Sequence, residues 1–346
     1  LSLKSNLKRM LQKSPLIWEI YWRTKTGMLR VVNLRYYLYD ICENYKAMDW
    51  APTNTKRSII SSELLFQYHK LEKGLVMPGP IRLFGIAPAR ATMVIINKWQ
   101  HIEDLNENDS IYRGAIGTLQ SYYDRIVDHK LDPKSVITDE LKNFLATHNC
   151  ERSSYNTPCE IIQLDVAETN YSEQFLLLMN ARRSVRTFSD EPVSKELLEN
   201  VVRISQLSPS ACNRQPVKVT IVSDPILKSK LLSHQNGNAG FGHLAPHIAV
   251  ITTDASCFFG ATERHEPYVD GGLFSMSFIL ALKAHNISSC CLNWCVKPKT
   301  DKAAHKLLEL ESSLRIIMLI AIGYAPEETS VPRSPRRDLD DILRVI

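Results

Sequence analysis

The sequence predicts two unlike parts: a small all-helical region, then a layered α/β or α+β domain with one sheet covered by helices. Three observations lead there. Between about residues 55 and 147 apolar residues recur at helical spacing, with no strand alternation of any length. After about residue 161 helical and strand patterns alternate. Between them runs "ATHNCERSSYNTPCE" (146–160), polar and rich in turn formers, which reads as a linker. The boundaries are therefore placed at 1–150 for the helical domain and 160–346 for the layered one, and 346 residues suffice for two cores.

The first forty residues are basic and aromatic. Lys4, Lys8, Arg9, Lys13, Arg23, Lys25, Arg30 and Arg35 face a single acid, Glu19, before Asp40. Leu3, Leu7, Met10 and Leu11 predict an amphipathic helix. It either packs on its own protein, the preferred reading, or makes peripheral contact with an anionic membrane surface. Thr53 or Asn54 is placed to cap a helix burying Ile59, Leu64, Leu65 and Tyr68 and ending at Gly74. The Pro-Gly-rich "GLVMPGPIRLFGIAPA" is a loop, and "TMVIINKWQHIE" and "IYRGAIGTLQSYYDRIVDHKL" are further helices.

In the second part, "YSEQFLLLMNAR" predicts a helix capped by Ser172 with Phe175, Leu176 and Met179 facing inward. "VSKELLENVVRISQL" follows, with Ser194 as N-cap and Leu197, Leu198, Val201, Val202 and Ile204 as its apolar stripe. "VKVTIVSD", "HIAVITTD", "SSCCLNW" and "LRIIMLIAIGYA" read as strands, and "KTDKAAHKLLELES" as a helix. "EPYVDGGLFSMSFILALKAHN" is a helix apolar enough to be buried on most sides.

Composition narrows the function. With 44% hydrophobic and 23% charged residues the chain is ordinary for a globular protein, and a net charge of +5 does not call for nucleic acid. No run of about 18 apolar residues suggests a spanning helix. Eight scattered cysteines without a CxxC pair, and no signal-peptide pattern, predict reduced thiols, a cytoplasmic protein and no metal site.

Chemistry concentrates in two clusters. Arg182, Arg183, Ser184 and Arg186 lie within five residues, and arginines so close repel one another unless an anion sits between them. Guanidinium forks, a hydroxyl and backbone N–H groups suit a phosphate, yet neither a Walker-type loop nor GxGxxG occurs. The second cluster, "SPSACNRQPVKV" (208–219), brackets Ser210, Asn213, Arg214 and Gln215 between Pro209 and Pro216 just before a strand. Its amides can pair with a ring edge bearing donors and acceptors. A dense polar group, His69, Lys70, Glu72 and Lys73, ends the first capped helix, where cations also complement the dipole.

"RRSVRTFSDEPVSKELLENVV" followed by "SPSACNRQP" resembles the FMN-dependent nitroreductase family, as do "YVDGGLFSMSFILALKAHNISSC" and "IIMLIAIGYAPEE" with "RSPRRDLDDIL". The likeness covers about residues 172–346 in order. It implies an α+β, three-layer fold with a mostly antiparallel central sheet, a homodimer with the flavin at the subunit interface, and NAD(P)H as transient donor. By the same resemblance Arg182, Arg183, Ser184 and Arg186 surround the FMN phosphate and ribityl chain. Pro209, Ser210 and Ala211 wall the ring from the partner subunit, supported by Asn213 and Gln215. Asn238 meets the pyrimidine edge, a backbone N–H of Asn293 or Trp294 meets N5, and Arg336 with Arg333 returns to the phosphate.

The chain departs from the family pattern at Val217 and Lys218 (an aromatic is common there), at "HNISSC", and at Trp294, where many members have glycine. A tryptophan there stacks on a substrate or narrows the pocket, which favours FMN binding over reduction of large nitroaromatics. "YHKLEKGLVMPGP" resembles an extension on nitroreductase-like proteins encoded near bacterial surface-polysaccharide genes.

The implied activity is ping-pong hydride transfer from NAD(P)H through FMN to a small nitro, quinone or related acceptor. The flavin carries the hard step, so no catalytic dyad is needed. His243 and His247 are the nearest acid–base candidates, and Cys212 reads as an inert thiol. Two other readings stand beside it: an FMN oxidase or dehydrogenase without a nicotinamide donor, and a non-catalytic scaffold in a surface-polysaccharide pathway.

Overall fold

The structure, a computed structural model, describes residues 10–51, 53–102, 106–148, 158–159 and 170–346. Most of the short basic helix expected at Leu3 to Leu11 and most of the 146–160 linker lie outside the described residues. Five helices come first: α1 (Pro15–Ala47), α2 (Arg57–Val76), α3 (Ile86–Trp99), α4 (Ser110–Asp128) and α5 (Thr138–Thr147). Helices α2 to α5 share one core in which Ile60, Leu64, Leu71, Ile96, Trp99, Leu119 and Tyr122 are fully buried. On α4 the buried set Tyr112, Ala115, Ile116, Leu119, Tyr122 and Ile126 follows the three-and-four spacing of one helix face, and Asp109 caps it by accepting from the Ile111 N–H at 2.9 Å.

Two local expectations for α2 are corrected. Neither Thr53 nor Asn54 caps it; Lys56 is the N-cap residue, and Asn54 Oδ1 instead accepts from the Lys56 N–H in a local turn. Nor does Gly74 end the helix, which runs on to Val76. The missing side chain at Gly74 makes room for the Phe84 ring, which a Cβ would strike.

Asp132 closes the start of α5. Its carboxylate accepts from the N–H groups of Val136 (2.9 Å), Ile137 (2.8 Å) and Thr138 (3.0 Å) and from the Thr138 hydroxyl (2.8 Å). Burial pushes this carboxyl up, but the four hydrogen bonds win and hold it at about 2. A carboxylate depressed on folding adds stability above its unfolded value and loses it as pH falls through the folded one. Asp132→Ala is therefore expected to cost the helical unit about 1–2 kcal/mol at pH 7, and the cost should fade between about pH 4 and pH 2. Urea titrations followed by circular dichroism at both ends of that window check it.

The layered domain follows as α6 (Tyr171–Ala181), α7 (Lys195–Ser205), β1 (Val217–Val222), α8 (Pro225–Leu232), β2 (His247–Asp254), α9 (Glu266–Ala284), β3 (Ser288–Asn293), α10 (Pro298–Leu307) and β4 (Leu314–Gly323). The four strands form an antiparallel sheet in the order β1-β2-β4-β3. Alternation along the strands feeds two cores. Ile248, Val250, Leu319 and Ala321 face Leu231 of α8 and Ala304 of α10, while Ala249, Ile251, Ile320 and Ile322 face Val201 of α7 and Phe274 and Phe278 of α9. The fold is thus three layers, α+β. Gly271 lets α9 lie close on the sheet, because a Cβ there would come within 2.6 Å of the Ile317 side chain.

Ser194 caps α7 as expected, accepting from the Leu197 N–H at 3.3 Å. Helix α6 differs. Its cap is Asn170, accepting from the Glu173 N–H at 3.1 Å, rather than Ser172. Phe175 and Leu176 are exposed, not inward, and Met179 is half-buried, because no described element of the same chain covers the Phe175 and Leu176 face. The same holds for α1, a helix of about 50 Å whose one buried residue is Ala47. Leu16, Ile20, Met28, Val31, Leu34, Leu38 and Ile41 stay exposed, whereas the self-packing expected of the Leu3 to Leu11 helix falls mostly outside the described residues. The last third of α1 is anchored: Ala47 and Met48 pack on Cys257 and Phe258, Glu43 O accepts from Arg315 at 2.8 Å, and just beyond the helix the Trp50 indole donates to Ser256 O at 2.9 Å.

Candidate cofactor-binding site

The arginine turn lies along the outer edge of β3. Ser184 bridges Ser289, and the Val185 N–H donates to Ser289 O at 3.0 Å. Among the described residues Arg182, Arg183 and Arg186 make no ion pair. Arg183 and Arg186 reach only the neighbouring carbonyls of Arg182 (3.3 Å) and Ser184 (3.4 Å), and the Arg186 guanidinium lies 5.6 Å from the Phe241 ring centre. Three adjacent cations without a carboxylate form a donor set that fits a phosphate.

The same edge carries the other end of the site. Successive residues of a strand point their N–H and C=O alternately to the two sides, so Ser289, Cys291 and Asn293 face outward. Asn293 O accordingly accepts from Gln235 Nε2 at 3.0 Å, and the Asn293 N–H points the same way. Gln235, 4% exposed, was missed in the sequence; nothing in "SHQNGN" separates this glutamine from its polar neighbours. Asn238 stands close by, but its amide is committed inside its own loop, donating to Leu232 O (2.8 Å), Gln235 O and Gln235 Oε1. The Trp294 indole turns away from the strand edge and donates to Asp301 Oδ1 at 2.7 Å. It lines a cleft of about 1230 Å³ with Tyr39, Asp40, Lys302 and Arg315. Tyr39 of α1 reaches the other Asp301 oxygen at 3.5 Å, and burial, with Asp301 and Glu43 nearby, pushes its hydroxyl up to about 12.

The second cluster sits on the opposite edge of the sheet, at the start of β1. Four strands at the usual spacing put the two edge strands about 14 Å apart. In the 209–215 loop Cys212, Asn213 and Gln215 all hold left-handed backbone, with φ of 52°, 56° and 51°. Each such non-glycine residue costs on the order of 1 kcal/mol, so the loop needs clamps. One is Asp270 of α9, both of whose oxygens accept from the Ala211 N–H at 3.1 Å. The other is Arg214, 3% exposed, which donates to Ala211 O, Cys257 O and both oxygens of Glu263. Ser210 adds a third bond, its hydroxyl accepting from the Gln215 N–H at 3.0 Å. Pro209, Asn213 and Gln215 are left exposed on the rim, with Ser210 and Ala211 half-buried.

Burial pushes the Asp270 carboxyl up to about 6, partly offset by the Ala211 N–H. An acid raised on folding binds more protons folded than unfolded between about pH 4 and pH 6, so its contribution falls as pH rises through that window. Asp270→Asn keeps an acceptor for Ala211 and should flatten that slope, leaving the variant at least as stable as the parent at pH 7. Denaturation midpoints at pH 4.5 and 7 would decide it; an unchanged slope sinks the assignment.

His247 is structural: its Nε2 accepts from the Val193 N–H at 3.0 Å, its Nδ1 lies 2.7 Å from the Ser223 hydroxyl, and burial, then Lys228, lowers its proton affinity. His243 is exposed. Arg333 and Arg336 are exposed on the C-terminal tail, where Arg336 bonds its neighbour Ser334 O at 2.6 Å, so one chain by itself does not bring them to the arginine turn. Among the described residues no helix is long and apolar enough to cross a membrane, and no group of three or more His, Cys, Asp or Glu could hold a metal ion.

The chain is similar to several known proteins. The model of the Nitroreductase family matches residues 179–238, which span the arginine turn, the 209–215 loop and Asn238. The C-terminal region carries a nitroreductase-family domain. Iodotyrosine deiodinase of Danio rerio is 25% identical to the chain over 222 residues, 57% of this chain and 75% of that protein. An Archaeoglobus fulgidus protein, provisionally named NADH dehydrogenase/NAD(P)H nitroreductase, is 25% identical over 160 residues, 45% of this chain and 88% of its own. Among solved structures, a nitroreductase family protein of Streptococcus pneumoniae covers 50% of this chain and all of its own at 22% identity and a TM-score of 0.44. These matches cover about half the chain.

Proposed function

We propose that the chain is an FMN-dependent oxidoreductase that takes a hydride from NAD(P)H and passes two electrons to a small organic acceptor. The observation that carries this is the edge of β3, where three arginines without acid partners among the described residues stand at one end and an outward N–H at the other. Arg182, Arg183, Ser184 and Arg186 would hold the phosphate; the Asn293 N–H, braced by Gln235, would meet the ring edge. FMN, when bound there, supplies two-electron redox chemistry. The protein's part is to neutralise the phosphate, orient the ring and exclude water.

A second copy completes the site. Pro209, Ser210 and Ala211 lie on the far edge of the sheet, so the wall they offer serves the flavin of a partner chain. Exposed apolar residues support the pairing: Tyr171, Phe175, Leu176 and Leu177 on α6, Tyr268, Val269 and Leu273 on α9, and Ile342, Leu343, Val345 and Ile346 in the tail. The tail of either chain could then carry Arg333 and Arg336 onto a phosphate.

The purified protein should be yellow and dimeric, and NADH or NADPH should bleach it under anaerobic conditions. Colourless protein that takes up no added FMN ends the proposal, and a flavin left oxidised by both nucleotides ends the nicotinamide part of it. The deiodinase relatives favour a second reading, in which an aryl iodide receives the hydride and leaves as the arene and iodide. Iodide release from 3-iodotyrosine, against reduction of a nitroarene to the nitroso compound and water, separates the two.

A further inference from the structure

Helix α2 of the helical unit lies on the 209–215 loop. The Arg214 guanidinium sits 5.7 Å from the ring centre of Phe66, and Ser58, Ser61 and Ser62 line a small cavity of about 210 Å³ together with Pro209 and Ser210. The Lys70 ammonium stands over the same Phe66 ring, 3.8 Å from its centre. Four cations around this seam are tied up: Arg57 with Asp109, Arg214 with Glu263, Lys56 with Glu311, and Lys218 with Asp254 and Glu311. Lys70 is different. It is half-buried, it has no carboxylate within ion-pair distance among the described residues, and its hydrogen bond goes to the neutral Gln67 amide oxygen at 3.2 Å. The one acid of its own turn, Glu72, is bound to His69 at 2.8 Å.

A partly desolvated cation without a counter-charge is unfavourable unless an anion joins it. Phe66 links Lys70 to the loop, because the Lys70 ammonium and the Arg214 guanidinium lie 3.8 and 5.7 Å from the centre of the same ring, and burial lowers the proton affinity of Lys70. We propose that Lys70 is the acceptor-side cation of the flavin cleft: α2 covers the 209–215 wall and selects aromatic acceptors that carry a carboxylate or similar anionic group. The inference rests on the two-copy flavin site above and adds the substrate class.

The test uses the FMN-loaded full chain with benzoate and benzamide, two redox-inert probes of like shape, their dissociation constants read from the change in flavin absorption. The parent should bind benzoate more tightly than benzamide, and added NaCl should weaken benzoate alone. Lys70→Met should raise the benzoate constant about tenfold and leave benzamide within about twofold, because only the charged contact is lost. Lys70→Arg, which keeps the charge, should retain the preference. An unchanged ratio in Lys70→Met at normal flavin loading overturns the role of Lys70 alone. Parent protein that binds flavin but shows no salt-sensitive benzoate preference overturns it too, with no variant needed. Parent protein that binds no flavin overturns this inference and the proposed site together.

Discussion

Arg182→Ala combined with Arg186→Ala should release FMN from the protein. Each charge-assisted contact to a phosphate is worth about 1.5–3 kcal/mol, so the pair should weaken FMN by about 3 kcal/mol or more, at least roughly a hundredfold. Flavin absorbance per chain after gel filtration, and titration calorimetry with FMN, measure the loss. Stability should move the other way. The two guanidinium groups make no ion pair with any described residue, and they stand beside Arg183, so removing them relieves repulsion. The flavin-free variant should melt no lower than the flavin-free parent. A double lysine replacement should recover only part of the affinity, because an ammonium cannot form the two-pronged contact. Full flavin loading in the double alanine variant would remove the turn from the site.

The largest loss of stability is expected at Arg214. Its side chain is 1% exposed and Glu263, its partner at 2.6 Å, is 15% exposed. The same guanidinium lies 4.7 Å from the ring centre of Phe258 and near those of Phe66 and Trp50, which stack edge-on to each other and pack on Phe259. It therefore ties the 209–215 loop, the 257–263 segment and the helical unit to one point. Arg214→Met fills the space but strands Glu263, and breaking a buried pair costs about 3–5 kcal/mol. Replacing Glu263 by Gln in the same chain should return part of that loss, since the stranded charge is gone. Equilibrium denaturation of the parent, single and double variants gives the cycle. A single-variant loss under about 1 kcal/mol would be that of a surface pair and would contradict the role given to Arg214.

The two parts of the candidate site differed in how legible they were. Arg182, Arg183 and Arg186 announce themselves because like charges within five residues need an external reason, and Pro209 and Pro216 mark a stiff loop by backbone chemistry alone. Gln235 and Asp270 carry no such local mark, and Arg214 stands out only as one polar residue of that loop, not as its clamp. Each acquires its role from a partner far along the chain: Asn293 for Gln235, Glu263 for Arg214, Ala211 for Asp270. Trp294 was legible as a departure from the family pattern, but its direction was not, because Asp301 and Tyr39 fix it. Helix α6 shows the converse, since a clear apolar stripe at Phe175 and Leu176 marks a face to be covered without saying by which chain.

Periodicity and turn chemistry are local properties, and they sufficed for the four strands, for most of the helices though not for α1 or α8, for Ser194 as a cap and for the two motifs of the candidate site. Strand order is not local. Only the folded sheet sets β1 and β3 on opposite edges, because hydrogen-bond pairing between distant segments chooses neighbours that sequence spacing does not encode. That choice parts the arginine turn from the 209–215 loop within one chain, and it lays α2, with Lys70, against the loop.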